Sequence, residues 1–223
     1  MEELDLIRKR YERRKFESKF LKQRESFYFN YFVQSERELI YYKILKFCFL
    51  EKKDLKFIEI GAGDGSNLHF FLRYGIKPTN IFANELLIDR YDKLKERFHF
   101  CNTTFGDASQ LNYKDKFDIV FQSTVFTSVL NEDMQYSLAL KMWEMKKKDG
   151  IILWYDFIYN NPSNKDVRGV GRRQIKKLFP SSREITFYRV TLYPFLARKV
   201  GKHYHLINSI FPFLRTHVVA VIR

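Results

Sequence analysis

The sequence predicts an α/β protein whose sheet is mostly parallel and covered by helices on both faces. Two observations carry this. From Leu55 onward short apolar strand segments alternate with helical segments, the pattern of strands joined by crossover helices. The first strand then runs into a glycine-rich turn that opens a helix, as happens where an open sheet binds a ligand at the carboxyl ends of its strands.

The elements follow in order. Leu4, Ile7, Tyr11, Phe16 and Phe20 recur at roughly helical spacing among many charges. A second helix is expected over residues 35–50, capped at Ser35 with Glu38 three residues on. No Gly or Pro precedes Gly61, so residues 1–54 form a helical N-terminal extension. Residues 55–60 make the first strand, and a helix is predicted over 66–74. A strand follows at 80–84, a helix at 88–98, a strand at 100–103 and a strand at 117–121. A helix covers 132–147, and Gly150 introduces a strand over 151–156. Asn160-Asn161-Pro162-Ser163-Asn164 is a loop by composition. Residues 172–179 read as a short helix stopped by Pro180, and residues 184–192 as a strand. A helical stretch over 193–211 and a last strand over 216–222 complete the chain.

Length and composition suit a single domain. The chain has 223 residues, 45% of them hydrophobic, with 23 Phe and 14 Tyr to fill a core. No run of 18 apolar residues suggests a membrane span. The start Met1-Glu2-Glu3-Leu4-Asp5 lacks an apolar signal core, so a cytoplasmic location is expected. Cys48 and Cys101 are expected to be buried, reduced thiols. No His/Cys/Asp cluster has metal-ligand spacing; His203 and His205 alone make a poor zinc site, and no metal is expected. The net charge of +14 attracts polyanions and phosphorylated molecules without choosing among them.

The informative segment is Phe57-Ile58-Glu59-Ile60-Gly61-Ala62-Gly63-Asp64-Gly65-Ser66-Asn67. A dinucleotide fingerprint spaces its glycines G-x-G-x-x-G; here they fall as G-x-G-x-G, with an acid two residues before the first. Glu59 inside a core strand is costly unless it has a polar or charged partner, and a ligand bearing an ammonium group would supply one.

At these residues the chain resembles the class I S-adenosylmethionine-dependent methyltransferases. The resemblance implies a Rossmann-like fold with a mostly parallel seven-stranded sheet, helices on both faces and S-adenosylmethionine as cofactor, leaving as S-adenosylhomocysteine. It places Glu59, Gly61, Ala62, Gly63 and Gly65 at the methionine part of the cofactor, with Ser66 and Asn67 beside it at the helix start. Glu85 ends the second strand, where a carboxylate can accept bonds from both ribose hydroxyls, and Leu86 packs on the adenine. Asp107, in Phe105-Gly106-Asp107-Ala108, takes the position that reads the adenine amino group, with Ala108 next to it. Gln122 and Ser123, after Phe117-Asp118-Ile119-Val120-Phe121, fall at the cofactor edge. Lys148-Asp149-Gly150 resembles the usual turn into the fifth strand. Five motifs in this order over residues 55–157 define a cofactor-binding core, leaving 158–223 as the acceptor side of one domain.

A narrower likeness rests on Arg10-Tyr11-Glu12-Arg13-Arg14, Thr124-Val125-Phe126-Thr127-Ser128-Val129, Leu153-Trp154-Tyr155-Asp156-Phe157, Asn160-Asn161-Pro162 and Phe211-Pro212-Phe213-Leu214-Arg215-Thr216-His217. These are similar to small methyltransferases of bacterial surface-polysaccharide gene clusters. That likeness implies O-methylation of a sugar, a sugar nucleotide or another capsule or O-antigen intermediate. The basic charge equally suits a nucleic-acid methyltransferase, but Gln122-Ser123-Thr124 stands where amino-methylating members carry an Asp/Asn-Pro-Pro-aromatic motif. A non-catalytic partner subunit would show an eroded cofactor motif, and Glu59, the glycines, Glu85 and Asp107 are all present.

Methyl transfer is helped chiefly by positioning, and a hydroxyl acceptor also by a base. Asp156, ending the fifth strand, is the first candidate for a base or acceptor-orienting group, and His217 the second. Tyr155, Tyr159 and Asn161 are candidates for the acceptor pocket. Arg168, with Arg172 and Arg173, is a candidate phosphate holder. Tyr11 and Arg14 lie on a basic helix that would fold over the cofactor as a lid.

Overall fold

The computed structural model describes residues 3–18, 26–50, 52–161 and 164–223, with side chains left aside at 15–18 and 26–28. The expectations for Phe20, Pro162 and Ser163 lie outside the described residues, as does the side chain of Phe16. The elements are α1 (Glu3–Ser18), α2 (Ser26–Phe49), β1 (Phe57–Ile60), α3 (Leu68–Tyr74), β2 (Ile81–Glu85), α4 (Ile88–Arg97), β3 (Asn102–Phe105), β4 (Phe117–Ser123), α5 (Glu132–Met145), β5 (Lys146–Phe157), α6 (Arg172–Leu178), β6 (Ile185–Leu192), α7 (Pro194–Val200), α8 (Tyr204–Ile210) and β7 (Arg215–Ile222).

One seven-stranded sheet runs in the order β3-β2-β1-β4-β5-β7-β6. The first five strands are parallel, and β7 is antiparallel to both β5 and β6. This is the Rossmann-like class I methyltransferase fold. Order reverses between β1 and β4, so the carboxyl ends of those strands frame the crevice where such sheets bind ligands.

Two-residue alternation divides the core into two layers. Phe57, Phe121, Leu153 and Val219 face α2 and α3, meeting Tyr41, Leu45 and Phe71. Ile58, Ile60, Val120, Ile152 and Trp154 face the other way onto Leu138 and Met142 of α5 and Ile175 of α6. A third, smaller cluster joins Val33 of α2 to Leu192, Ala197 and Tyr204. The second helix is therefore part of the core, packed on β6, β7 and α7.

Some expectations shift. Ser35 does not cap α2, which begins at Ser26; its hydroxyl instead donates to the Phe32 carbonyl one turn back. Residues 193–211 are two short helices separated by a turn at Gly201, where φ is +49°. The fifth strand starts at Lys146 because that residue pairs with Phe117 ahead of a register shift. Gly150 permits this: a Cβ there would lie 2.8 Å from the Phe117 carbonyl oxygen. Cys48 and Cys101 are free and only partly buried, and Cys48 Sγ accepts a bond from Arg223 at 3.1 Å.

Candidate cofactor and acceptor site

The glycine turn is built by sterics. Gly61, Gly63 and Gly65 have φ of +66°, +63° and +85°, values that L-residues with a Cβ rarely hold. A Cβ on Gly61 would meet Val125 at 2.5 Å, and one on Gly65 would meet the Phe98 ring at 2.3 Å, whereas Gly63 faces open space. Ala62 N–H donates to the Asn84 carbonyl at 2.8 Å, fastening the turn to β2. Glu85, at the end of β2, is buried and accepts from Gly63 N–H at 2.7 Å and Leu87 N–H at 2.8 Å. Each oxygen keeps a further lone pair.

Beside this turn lies a cavity of about 110 Å³ bounded by Gly61, Glu85, Leu86, Asp107, Ala108 and Ser123, with Ile7 and Tyr11 of α1 on its outer side. The Asp107 carboxylate accepts from both the amide and the hydroxyl of Ser109, which fixes it at the edge. Helix α1 is anchored across this end of the sheet. Glu3 accepts from Leu130 N–H at 2.9 Å and pairs with Arg10, and Arg10 donates to the Ser128 carbonyl at 3.0 Å.

Glu59 is fully buried. Asn67 donates to one oxygen at 2.7 Å, and the other oxygen has no partner. Burial pushes this carboxyl up to about 8, against the pull of the Asn67 bond and the Arg37 charge. Arg37 is a residue that sequence reasoning missed. Its guanidinium lies over the Tyr155 ring at 4.4 Å and donates to Ser123 Oγ at 3.4 Å, and its buried Nε has no partner. Burial pulls its pKa down, but Tyr155, Tyr41, Glu59 and Glu38 outweigh that and hold it above its ordinary value. A signal for it existed: Val33, Arg37, Tyr41 and Leu45 repeat every four residues along the buried stripe of α2.

A larger cavity of about 540 Å³ adjoins the first and shares Tyr11, Thr124 and Ser128 with it. Tyr159, Asn161, Tyr193, Phe195, Arg14, Arg198 and His217 line it. At the junction Tyr11 is hydrogen-bonded to Ser128 at 3.1 Å, and Arg14 and Arg90 lie 4.1 and 4.4 Å from its ring centre. Thr124 is held at φ +58°, a strained setting for a β-branched residue, with its N–H donating to the Tyr155 carbonyl at 2.9 Å.

Several of the sequence candidates sit elsewhere. Asp156 does not line the cavity: it is fully buried and accepts from the Thr127 hydroxyl at 2.7 Å and from the amides of Thr127 and Phe157. Burial raises it to about 7 although those bonds hold it back. Thr127, not Asp156, faces the cavity. His217 does face it, kept neutral by burial and by the Arg37 charge, which lower it to about 3; its ring stacks on Tyr155 at 5.3 Å. Tyr155 is buried, hydrogen-bonded to Thr191. Gln122 accepts from Val125 N–H and donates to the Tyr155 carbonyl, so it shapes the turn after β4. Ser66 donates to Asp64. Arg168 reaches the Leu130 carbonyl and Glu132, while Arg172 and Arg173 are exposed on α6.

Comparison with known proteins agrees with this geometry. Residues 58–154 match the family model described as a methyltransferase domain. A solved protein of Pyrococcus horikoshii superposes with a TM-score of 0.61 at 13% identity, over 85% of this chain and 90% of that one. A phosphoethanolamine N-methyltransferase of Haemonchus contortus, solved in complex with S-adenosyl-L-methionine, gives 0.59 at 14% identity over 83% and 51%. An S-adenosylmethionine-dependent methyltransferase of Archaeoglobus fulgidus gives 0.57 at 14% over 88% and 100%. Among curated proteins, a stretch of 91 residues is 33% identical to a truncated transposon Ty1-A Gag-Pol polyprotein of Saccharomyces cerevisiae, covering 38% of this chain and 7% of that protein. So short a piece of a long polyprotein carries no functional argument.

The residues present also fit the cofactor on independent grounds. An orphaned buried carboxylate oxygen on Glu59 and an orphaned buried guanidinium N–H on Arg37 complement an amino-acid ammonium and carboxylate. The open face of Gly63 leaves the backbone approachable. Domain match and fold together define a methyltransferase domain, and the open groups of its site fit S-adenosylmethionine. No helix among the described residues is long and apolar enough to cross a membrane.

Proposed function

We propose that the protein methylates a hydroxyl of a glycan-type acceptor that carries phosphate or a nucleotide, such as a sugar nucleotide or another surface-polysaccharide intermediate. The observation that carries this is the cavity of about 540 Å³ next to the cofactor cavity, which sets Tyr159, Tyr193 and Phe195 beside Arg14, Arg198 and Asn161. Aromatic faces suit sugar rings, and arginines suit phosphate oxygens. The resemblance of the sequence to enzymes of surface-polysaccharide clusters points the same way.

In this reading the chain divides its work. Glu85 takes the ribose hydroxyls, Leu86 packs on the adenine, Asp107 accepts from its amino group, and Glu59 and Arg37 hold the amino-acid end. Residues 1–54 act as the extension over the site, 55–157 as the cofactor core and 158–223 as the acceptor side of one domain. When bound, S-adenosylmethionine supplies an electrophilic methyl carbon. Thr127, His217 and Asn161 orient the acceptor hydroxyl. Holding the reacting atoms at about 3 Å provides most of the acceleration. Neutral His217 serves as a hydrogen-bond acceptor for that hydroxyl. Asp156 positions Thr127 beneath it.

The test is a transfer assay with labelled cofactor against a panel of sugar nucleotides and short RNAs. Methylation of a sugar nucleotide, lost in Arg198→Ala, is expected. Methylation of RNA with none of any sugar nucleotide would overturn the acceptor assignment while leaving the methyltransferase intact.

A further inference from the structure

Residues 185–223 contain no Asp or Glu, yet they carry six Lys or Arg and three His. The same segment leaves large apolar side chains in water: Phe195 is 59% exposed, Leu206 58%, Ile210 55% and Phe213 66%. Leu206 and Ile210 lie one turn apart on the outer face of α8, opposite buried Tyr204 and Asn208. Arg198, Lys199, Lys202 and His205 are exposed among them, and Lys199 sits 4.1 Å above the Phe195 ring. Helices α7 and α8 pack on one another, so apolar and cationic groups share one outer region.

We propose that the outer surface of α7, α8 and the turn at Phe213 docks on an anionic phospholipid surface. The cations complement lipid phosphates, and the exposed Phe, Leu and Ile side chains enter the boundary between headgroups and chains. Charge argues against a second copy of the chain, because a symmetric contact would set an all-cationic surface against itself. Aliphatic Leu206 and Ile210 argue against nucleic acid, which rewards aromatic stacking instead. Tyr193, Phe195 and Arg198 belong both to this region and to the wall of the larger cavity. On the proposal that this cavity takes the acceptor, docking turns its mouth toward acceptors carried by the bilayer.

The full chain is sedimented with vesicles of phosphatidylcholine alone and of phosphatidylcholine mixed with phosphatidylglycerol in equal parts. Binding to the mixed vesicles, weakened by salt and absent from the neutral ones, is expected. Lys199→Glu with Lys202→Glu, and separately Leu206→Ser with Ile210→Ser, should each reduce it by roughly tenfold or more. All four side chains are exposed, so the variants fold, as circular dichroism would verify. Glu85→Ala should bind vesicles as well as the parent, which separates this surface from the cofactor site. Several results would overturn the proposal: no binding to either vesicle, equal binding by all variants, or a dimer in sedimentation velocity that the Leu206/Ile210 variant dissociates. Capture of single-stranded RNA, but not vesicles, would reassign the surface to nucleic acid.

Discussion

Gly63 and Gly65 stand two residues apart in one turn, both in the left-handed region, yet alanine should act differently at each. At Gly63 the new methyl meets nothing within 4 Å. The cost is the left-handed setting alone, about 1–2 kcal/mol. At Gly65 the same strain is joined by a collision with the Phe98 ring at 2.3 Å and Leu94 at 2.9 Å, and overpacking adds about 1–3 kcal/mol. For a chain of this size each kcal/mol moves the melting temperature by roughly 2–4 °C. Gly63→Ala should therefore melt about 2–8 °C lower and Gly65→Ala about 4–20 °C lower. On the proposed reading the cofactor approaches the open face of Gly63, which a methyl would cover, so S-adenosylhomocysteine affinity should fall by at least roughly tenfold, a loss of about 1.4 kcal/mol. Thermal unfolding and calorimetry on both variants check this. Equal loss of stability in the two, or parental affinity in Gly63→Ala, would refute the account of the turn.

Arg37→Met should lower S-adenosylhomocysteine affinity by roughly tenfold or more, since a charge-assisted bond is worth about 1.5–3 kcal/mol; calorimetry giving parental affinity would remove Arg37 from the site. Glu59, raised to about 8 from an ordinary value of 4.5, makes the folded state bind more protons than the unfolded one, so its contribution is present below pH 4.5 and lost as pH rises through about 8. Glu59→Gln should accordingly gain stability relative to the parent across that window in denaturant titrations at fixed pH values, and an unchanged difference would count against a buried acid there. Asp156→Asn should reduce turnover through Thr127 without altering the pH profile of kcat; disappearance of a limb near pH 7 would instead make Asp156 the base, because its carboxyl sits at about 7.

How much of this was legible in the sequence differs between backbone and side chains. The central strands β1 and β4 are legible because they are buried on both faces, and Glu59 stands out as an acid inside such a strand, whereas the polar edge strand β3 lies two residues later than its expected 100–103. The glycine spacing located the turn, since only glycine holds three left-handed settings so close together. Glu85, Leu86, Asp107 and Tyr11 all border the smaller cavity, while their roles rest on the proposal above. What the sequence did not reveal depends on tertiary neighbours. Asp156 ends its strand as expected, but Thr127 folds over it and supplies two of its donors from a turn 29 residues away. Tyr11 borders both cavities, whereas Arg14, expected beside it at the cofactor, lines the larger cavity. Arg37 stands between Glu36 and Glu38, so along the chain it reads as one of several solvated charges, and only the packed sheet shows that it belongs to the buried stripe of α2.

On the proposed reading, Glu85 and its surrounding turn bind S-adenosylmethionine. Titration of the purified protein with S-adenosylhomocysteine by calorimetry tests it most directly. One site per chain is expected, with affinity weakened by at least roughly tenfold in Glu85→Ala, the loss of a charge-assisted bond. Absence of heat with either S-adenosylhomocysteine or S-adenosylmethionine, or a dissociation constant unchanged by Glu85→Ala, would contradict it.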